Sequence, residues 1–462
     1  MTVLGPQLDT LGRLQSQELI GTVAAARGLG LYVDDLPLPV GAMVRLEPGR
    51  GSSRVIRGEV VGFDGSRSIV MLFGSNDGTA PGMRVHGEQT AQTVAISRSF
   101  LGRIINGLGR PIDGGTFPSD CVARPLDPAP TCALHRRRID QPLPTGVRVI
   151  DTMLTVGKGQ RVGIFSGPGL GKSTLVAMIA RNSAADVNVL ALVGERGREV
   201  REFIERSLGP TGLAKSVIVV ATGDESPLLR VRAAMVASAV AEFFRDQGAD
   251  VLLMMDSLTR LAQAQRQIGL TVGEQPATKG YTPSVFAMLP KLLERAGSIE
   301  GGGSITGFYA VLVEGDDLTE PVSDAARGVL DGHVVLSRKL AGRGHYPAVD
   351  MQESVSRIAD LVCDEHHRAA RMLILKLLAA RAEAEELINI GAYAHGSNAD
   401  CDVAIALRPK IDAMLQQGIT EKADFPHSCR QLIELAAAAK AQYEKGSARA
   451  AAAGGGGGAK RV

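Results

Sequence analysis

A glycine-rich turn between an apolar strand and a helix constrains this chain more than any other feature of its sequence. The apolar run Val162–Phe165 leads into Ser166-Gly167-Pro168-Gly169-Leu170-Gly171-Lys172-Ser173-Thr174, and helix-forming residues follow. Glycines let backbone N–H groups turn inward around a polyphosphate, while Lys172 can bridge its terminal phosphates and Ser173 can ligate Mg²⁺. The nine residues are therefore predicted to form a phosphate-binding loop, although Ser166 stands where the strict motif has glycine.

Two acidic residues that follow other apolar runs complete a candidate hydrolytic site. Asp256 ends the run Val251–Met255, and Glu195 comes two residues after the run Val187–Val193. Ligands of parallel α/β sheets bind at the carboxyl ends of the strands, so both carboxylates are expected beside the loop. Asp256 is the predicted second metal ligand, and Glu195 is predicted to orient or deprotonate the attacking water. Taken alone, Asp256 would be better explained as a helix cap, and Glu195 equally well as part of a solvated charge cluster.

Strand and helix signals predict an α/β protein with a small barrel before its main domain. Short apolar runs separated by Gly, Asp, Ser and Pro predict a β-barrel over residues 21–95. From residue 160 onward, apolar runs alternate with helical stretches such as Pro227–Asp246, as in a parallel sheet covered by helices. This pattern predicts a central P-loop domain over residues 96–365. Its proline-rich part, residues 111–144, is expected to be an ordered crossing segment or linker.

Both ends of the chain carry further signals. Residues 366–448 are rich in strong helix formers and predict a C-terminal helical domain. Residues 449–462 contain an alanine run followed by five glycines, and are expected to form a disordered tail. Three leucines at helical spacing within residues 1–20 predict a short amphipathic stretch, which either binds a partner or folds back on the barrel.

Composition excludes several classes of protein. Lys and Arg sum to 51 and Asp and Glu to 49, so a formal charge of +2 provides no global field for nucleic acid or anionic lipid. Aromatics are only 4% of residues, which disfavours a hexameric helicase or RNA translocase with stacking platforms. The five cysteines form no C-x-x-C pair, and no apolar stretch approaches the roughly 18 residues of a membrane span. We therefore expect a cytoplasmic protein whose membrane contact is peripheral and whose metal is Mg²⁺ alone.

Several motifs outside the loop resemble one superfamily. The loop and the following segments look like those of rotary ATPase catalytic subunits: Gly194-Glu195-Arg196, Phe243–Gln247, and Pro347–Asp350 with Ser354 and Ser356. Within that superfamily, Tyr281–Phe286, Leu292–Gly297 and Val313–Asp317 resemble the type III protein-export ATPases. The segment Ile388–Tyr393, followed by Gly396-Ser397-Asn398, is more similar to the flagellum-specific branch than to the virulence-injectisome branch.

The resemblance implies roles for four residues that the pattern of the sequence alone would not assign. It implies a RecA-like ATPase domain and a homohexamer whose ATP sites lie between subunits. Arg357 matches the arginine finger that a neighbouring subunit supplies, whereas a lone arginine is usually a surface ion pair. Tyr346 matches the residue that stacks on adenine, although a buried core tyrosine is the better interpretation without the resemblance. Arg196 and Arg260 match polar residues near the γ-phosphate.

The function that the resemblance implies is Mg-ATP hydrolysis coupled to chaperone release, unfolding and export of flagellar proteins. The implied partners are a stator-like regulatory protein at the N-terminus, a central stalk-like protein, chaperone–substrate complexes and a membrane export gate, with no nucleic acid. Two alternatives stay open: an injectisome ATPase and a β-type subunit of a rotary proton-translocating ATP synthase. The segment Ser397–Asp402 carries only two acids where synthase β subunits have an acidic run, which weakens the synthase alternative.

Overall fold

Six antiparallel strands at the start of the described chain close into a barrel. The computed structural model describes residues 18–47, 55–89, 92–313, 315 and 317–454. The barrel strands are β1 (Ile20–Arg27), β2 (Gly30–Asp34), β3 (Met43–Leu46), β4 (Ile56–Asp64), β5 (Arg67–Leu72) and β6 (Arg84–Gln89), in the spatial order β1-β2-β5-β4-β3-β6. Alternate residues point inward, and valines 33, 44, 60, 70 and 85 are fully buried there. This confirms the predicted barrel.

A nine-stranded, mainly parallel sheet forms the centre of the molecule. Its strands lie in the order β17-β16-β10-β15-β13-β11-β12-β8, with β14 paired to β15. They are β8 (Ile104–Asn106), β10 (Arg161–Ser166), β11 (Val187–Val193), β12 (Ser216–Ala221), β13 (Asp250–Asp256), β14 (Gly297–Ser298), β15 (Ser304–Leu312), β16 (Gly332–Leu336) and β17 (Val355–Ser356). Strands β11 and β12 are buried at every residue, as expected for a sheet covered on both faces. The predicted α/β fold class is confirmed.

Helices cover the two faces of this sheet. They are α1 (Arg148–Met153), α2 (Lys172–Asn182), α3 (Gly197–Glu202), α4 (Gly209–Ala214), α5 (Pro227–Arg245), α6 (Leu258–Thr271), α7 (Pro283–Leu293), α8 (Pro321–Val329) and α9 (Arg338–Gly342). A π-helical turn, Phe203–Leu208, joins α3 to α4, and single 3₁₀ turns lie at Arg98–Phe100, Ala133–His135 and Thr278–Gly280. Strands and helices alternate along this part of the chain, so the strands that carry the candidate site are parallel and end at the same edge of the sheet.

The proline-rich crossing segment contributes one strand, and this strand lies at a margin of the fold. Strand β9 (Val122–Pro125) pairs with β7 (Thr93–Ile96) in a separate two-stranded sheet. The short strand β8, just before the prolines, occupies the outer edge of the central sheet. Pro125 ends β9 at a margin, where its missing N–H breaks no central ladder.

The C-terminal domain is helical, as predicted. Its helices are α10 (Ala359–Val362), α11 (Glu365–Glu383), α12 (Glu385–Asn389), α13 (Ala399–Leu415) and α14 (Phe425–Gly454). Helix α14 continues through the alanine run, so residues 449–454 of the expected disordered tail are helical, because alanine is the strongest helix former. Residues 455–462 of that tail, and residues 1–17 of the predicted partner-binding segment, lie outside the described residues. Within the described chain, each helix is too short or too polar to cross a membrane.

Candidate active site

The glycine-rich turn forms a loop between the end of β10 and the start of α2. Gly169 and Gly171 have φ values of 77° and 88°, which other residues rarely adopt. Helix α2 begins at Lys172 directly after Gly171, so its first N–H groups are free to bind an anion. Ser173 is exposed on the first turn of that helix. The backbone therefore forms a tight turn with inward-facing N–H groups at the carboxyl end of β10, as a phosphate cradle requires.

Two acidic and two basic side chains converge beside this loop. The Lys172 ammonium group contacts the Asp256 carboxylate, and both side chains are buried. Glu195 Oε1 lies 3.9 Å from Lys172 Nζ and 3.3 Å from Arg260 Nε. The sheet order explains this convergence, because β11 and β13 are adjacent and one strand, β15, separates β13 from β10. The structure thus brings together the loop lysine, the predicted metal ligand and the predicted water-orienting glutamate.

Asp256 is free to act in the site because another residue caps the following helix. The Ser257 side chain accepts a hydrogen bond from the Arg260 backbone N–H and is the N-cap of α6. Helix-capping is therefore the role of Ser257, and the capping interpretation of Asp256 does not hold. Arg260, one turn into α6, extends back toward β11, where its guanidinium donates to the Gly194 carbonyl over 2.7 Å.

The environment of Glu195 changes its protonation. Burial raises the pKa of this carboxyl to about 7, and the nearby negative charge of Asp256 acts in the same direction. The positive charges of Lys172 and Arg260 offset part of this increase. A carboxyl with a pKa near neutrality exchanges protons readily at physiological pH, which suits a group that accepts a proton from water.

Tyr346 lines a cavity that continues from the loop toward the helical domain. The cavity has a volume of about 290 Å³ and lies between the start of α2, Tyr346 and the segment Gln417–Ile419. Tyr346 is 46% exposed, and its carbonyl accepts a hydrogen bond from the Gln417 backbone N–H over 2.9 Å. An aromatic ring beside an apolar slot next to a phosphate loop can hold a flat base. The wall formed by Gln417–Ile419 was missed by sequence reasoning, because no motif marks it.

Two of the predicted arginines lie away from this cluster in the same chain. Arg196 is 80% exposed, and its guanidinium pairs with Glu199 at 3.3 Å. Arg357 is also exposed, and its backbone N–H donates to the Asp331 carbonyl at the amino end of β16. Since β16 runs parallel to β10 and a strand rises about 3.3 Å per residue, the length of a strand separates Arg357 from the loop of its own chain.

The residues beside the loop offer ligands for a small, hard cation. Ser173 supplies a hydroxyl oxygen, and Asp256 supplies carboxylate oxygens, which are the donors that Mg²⁺ prefers. Across the described part of the chain, there is no group of three or more His, Cys, Asp or Glu side chains arranged to hold a metal. The donor set therefore fits a Mg²⁺ ion whose other ligands are phosphate oxygens and water, as is usual for this ion.

Comparison with known proteins places the chain first in a broad class. Residues 146–356 match the nucleotide-binding domain of the ATP synthase alpha/beta family, and residues 363–434 match the T3SS EscN ATPase C-terminal domain. The fold and the loop thus define an ATPase of the ATP synthase alpha/beta type.

Individual relatives narrow this class. The flagellum-specific ATP synthase of Treponema pallidum is 50% identical over 92% of this chain and 95% of its own length. That of Salmonella typhimurium is 49% identical over 89% of this chain and 92% of its own length. The assembled ATPase EscN of the enteropathogenic E. coli type III secretion system, solved with its central stalk EscO, superimposes with a TM-score of 0.83 at 40% identity, covering 90% of this chain and 100% of that chain. The chain belongs to the family of flagellum-specific ATP synthases and type III secretion ATPases.

Proposed function

We propose that this chain is a motor ATPase of the flagellar type III export apparatus, hydrolysing Mg-ATP to release chaperones from exported flagellar proteins and to help unfold them. The observation that carries the catalytic part is the meeting of Lys172, Asp256 and Glu195 at the end of the phosphate loop. Membership in the family, and identities near 50% to flagellum-specific relatives, support the export part.

The geometry supports a division of labour among these side chains. Lys172 can exchange its contact with Asp256 for the terminal phosphates of the nucleotide, and Asp256 and Ser173 would then hold Mg²⁺ through their oxygens. The metal, when bound, neutralises charge on the phosphates. Glu195, whose pKa lies near 7, holds the attacking water and accepts its proton. Arg260 fixes the Glu195 carboxylate from one side at 3.3 Å.

Completion of the site requires a second subunit in this proposal. Arg357 is exposed at the end of the sheet opposite to the loop, so it is placed to serve a neighbour rather than its own nucleotide. A guanidinium that enters from outside can stabilise charge on the transferring phosphoryl group. We propose a homohexamer with six such junctions, in which Tyr346 stacks on the adenine. In this proposal Arg196 leaves its exposed pair with Glu199 to complete the polar surroundings of the γ-phosphate.

The proposed partners follow from the same family. The EscN structure was solved with a central stalk, which supports a stalk-like partner for this chain. A stator-like regulator at the N-terminal segment, chaperone–substrate complexes and a membrane export gate complete the proposed set, and place the protein at the cytoplasmic face of the membrane. No nucleic acid is proposed as a ligand.

A glutamine at position 195 tests the catalytic proposal. Glu195→Gln keeps the size of the side chain but cannot accept a proton, so kcat is expected to fall by about 10²–10⁴-fold. Binding of a fluorescent ATP analogue should remain within about twofold, because the loop and Lys172 are unchanged. The matched control is Glu205→Gln, an exposed residue paired with Arg201, which should leave kcat unchanged. An unaltered rate in Glu195→Gln would remove this residue from the reaction.

A copurification experiment distinguishes the proposed flagellar function from the injectisome and ATP synthase alternatives. The tagged chain should retain flagellar export components in cells that also produce injectisome components. Recovery of injectisome components alone would assign the chain to that branch. The synthase alternative requires partner subunits of the alpha type for turnover, so ATPase activity of the purified chain by itself counts against it.

A further inference from the structure

The segment that carries Arg357 is held against the edge of the central sheet. In the β16–β17 ladder, Gly332 lies opposite Ser356 and His333 lies opposite Val355. A Cβ atom at position 332 would lie 2.6 Å from the Val355 carbonyl oxygen, so glycine permits the close approach of the two strands. Residues 353–357, called the finger segment below, therefore pack directly on β16.

Backbone and hydroxyl groups anchor this finger segment on both sides of the ladder. The Val335 N–H donates to Ser354 Oγ over 2.9 Å, and the Arg357 N–H donates to the Asp331 carbonyl over 3.0 Å. The Ser356 hydroxyl donates to a backbone carbonyl 3.1 Å away. The Arg357 side chain, in contrast, is exposed. An anchored backbone thus presents an exposed guanidinium.

His333 adds a contact of a different kind, because it touches both the finger segment and the strand of the phosphate loop. Its Nε2 lies 3.0 Å from the Glu353 carbonyl oxygen, and since a carbonyl only accepts, Nε2 carries the proton. Its ring packs edge-to-face on Phe165 with the ring centroids 5.7 Å apart and the planes at 77°. Phe165 immediately precedes Ser166, the first residue of the loop.

Burial and the nearby arginines favour the neutral form of the His333 ring. Burial lowers the pKa of His333, and the positive charges of Arg327 on α8 and of Arg357 lower it further. Glu353 acts in the opposite direction through its carbonyl and its charge. A neutral ring can donate to Glu353 without adding a third positive charge beside the two arginines.

We propose that His333 is a positioning residue for Arg357: it holds the finger segment at the angle at which the guanidinium enters the neighbouring site. This inference rests on the proposed role of Arg357 as a finger supplied to the next subunit. The same ring also packs on Phe165, in the strand that leads to the subunit's own loop. Misplacement of a reacting group by about 1 Å can reduce a rate by about 10²-fold, so loss of the ring should impair catalysis strongly.

Mixed assemblies of two inactive chains test this role. Glu195→Gln chains lack the catalytic carboxylate but supply a normal finger, whereas Arg357→Ala chains lack the finger but keep a normal site. In a ring with head-to-tail interfaces, a junction is active only if an Arg357→Ala chain supplies the site and a Glu195→Gln chain supplies the finger. When the two chains are co-expressed at equal levels, about one quarter of the junctions should meet this condition and regain activity. Absence of any regain would refute the finger proposal itself, separately from the role of His333.

The substitution His333→Ala is then placed in one chain of the mixture at a time. In the Glu195→Gln chain, which supplies the finger, it should reduce the regained ATPase rate by about tenfold. In the Arg357→Ala chain, whose own finger segment serves no site, it should leave the regained rate within about twofold. The proposal would be overturned by an equal loss of ATPase rate in both mixtures, because a general structural role of His333 would matter equally in either chain. It would also be overturned if the substitution caused no loss of rate in the finger-supplying chain.

Two further variants at position 333 test the hydrogen bond to Glu353 and replace His333→Ala if that variant does not fold. If His333→Ala fails to fold, the same pair of mixtures is made with His333→Asn, whose shorter amide remains polar but does not reach the Glu353 carbonyl. His333→Gln extends an N–H donor further from the backbone and should restore at least half of the regained rate. Failure of His333→Gln to act better than His333→Asn would contradict a role through the hydrogen bond to Glu353.

Discussion

A buried carboxyl group, Glu59, and a partly buried one, Glu195, have nearly the same local chemistry but lie in different places. Glu195 lies 3.3 Å from Arg260 beside the phosphate loop, and Glu59 lies 3.3 Å from Arg232 where the barrel meets the central domain. Burial is the largest cause in both cases and raises each pKa to about 7. A perturbed carboxyl facing an arginine is therefore common to both, and does not by itself identify a catalytic group.

The surroundings distinguish the two carboxyls. Glu195 shares its space with Lys172 and Asp256 at the edge of the sheet where a phosphate cradle opens. Glu59 instead has Arg232 as its cationic partner, and the other contacts of this pair are neutral: the Gln92 amide donates to Glu59 over 2.5 Å, and the Arg232 guanidinium lies over the Phe73 ring at 5.7 Å. A bound nucleotide can form new ion pairs with the charged groups around Glu195, whereas Glu59 and Arg232 neutralise each other without a ligand. We infer that the first serves turnover and the second stability.

Removal of the arginine at the barrel interface should have the largest effect. Arg232→Met leaves Glu59 buried without a cation, which is expected to lower the free energy of unfolding by about 3–5 kcal/mol. Burial raises the folded pKa of Glu59 above its unfolded value, so Glu59 destabilises the fold increasingly as pH rises from the unfolded pKa to the folded pKa of about 7. Loss of Arg232 raises the folded pKa further, so in the variant the loss of stability continues to grow above the pH at which it levels off in the unmodified chain. Denaturant unfolding should therefore show a larger loss at pH 8 than at pH 6.

Two controls sharpen this measurement. Arg206→Met breaks an exposed pair with Glu202 at 3.7 Å and should cost less than about 0.5 kcal/mol. The double variant Glu59→Leu with Arg232→Met removes both charges and should recover most of the stability lost by Arg232→Met. A double variant as unstable as the single one would show that the ion pair is not the source of the loss.

The corresponding change in the site should affect turnover rather than folding. Asp256→Asn removes the predicted carboxylate ligand of Mg²⁺, so kcat is expected to fall by about 10²–10³-fold and the Mg²⁺ concentration for half-activation to rise. Lys172 keeps the Glu195 carboxylate 3.9 Å away after this change, so the unfolding midpoint should fall by less than in Arg232→Met. A large loss of stability with normal activity per folded subunit would reverse the assignment of the two groups.

The pH dependence of turnover should report Glu195. This residue acts as a carboxylate, and its pKa is about 7 in the free protein, so kcat/KM should fall by about tenfold per pH unit below that value. Steady-state rates between pH 5.5 and 8.5 at saturating Mg²⁺ measure this limb. The residual activity of Glu195→Gln should lack it, and an identical limb in that variant would assign the titration to another group.

The smallest effect is expected at the base pocket. Tyr346→Ala removes a half-exposed aromatic wall, so KM for ATP should rise by about fivefold with little change in kcat. Tyr346→Phe keeps the ring and should behave like the unmodified chain. Equal KM values for all three proteins would show that the ring does not contact the base.

Much of the site could be predicted because its residues directly follow strands. Asp256 is the last residue of β13, Glu195 lies two residues after β11, and Lys172 follows the loop at the end of β10. Parallel strands bring those three ends together. By contrast, Glu59 and Arg232 are 173 positions apart, and no local pattern relates them. The contact between His333 and Phe165 likewise depends on the pairing of β16 with β10, which periodicity does not specify.

The C-terminal alanine run differs from its sequence-based prediction. The alanine run before the terminal glycines was expected to be disordered, yet helix α14 continues to Gly454. Once a helix is established, each added alanine costs little, so extension wins over the flexible alternative. The wall of the base pocket at Gln417–Ile419 comes from a loop without a motif, and only the packing of the helical domain places it there.

The position of Arg357 at the far end of the sheet has a consequence for the newly made chain. In the proposed arrangement, a solitary subunit can grip nucleotide but cannot neutralise the charge that develops as the phosphate leaves. Unassembled subunits in the cell would therefore bind ATP without hydrolysing it, and ATP would be hydrolysed only where the subunits are concentrated enough to assemble. The position of Arg357 on the sheet would thus set a threshold subunit concentration, below which ATP is not hydrolysed.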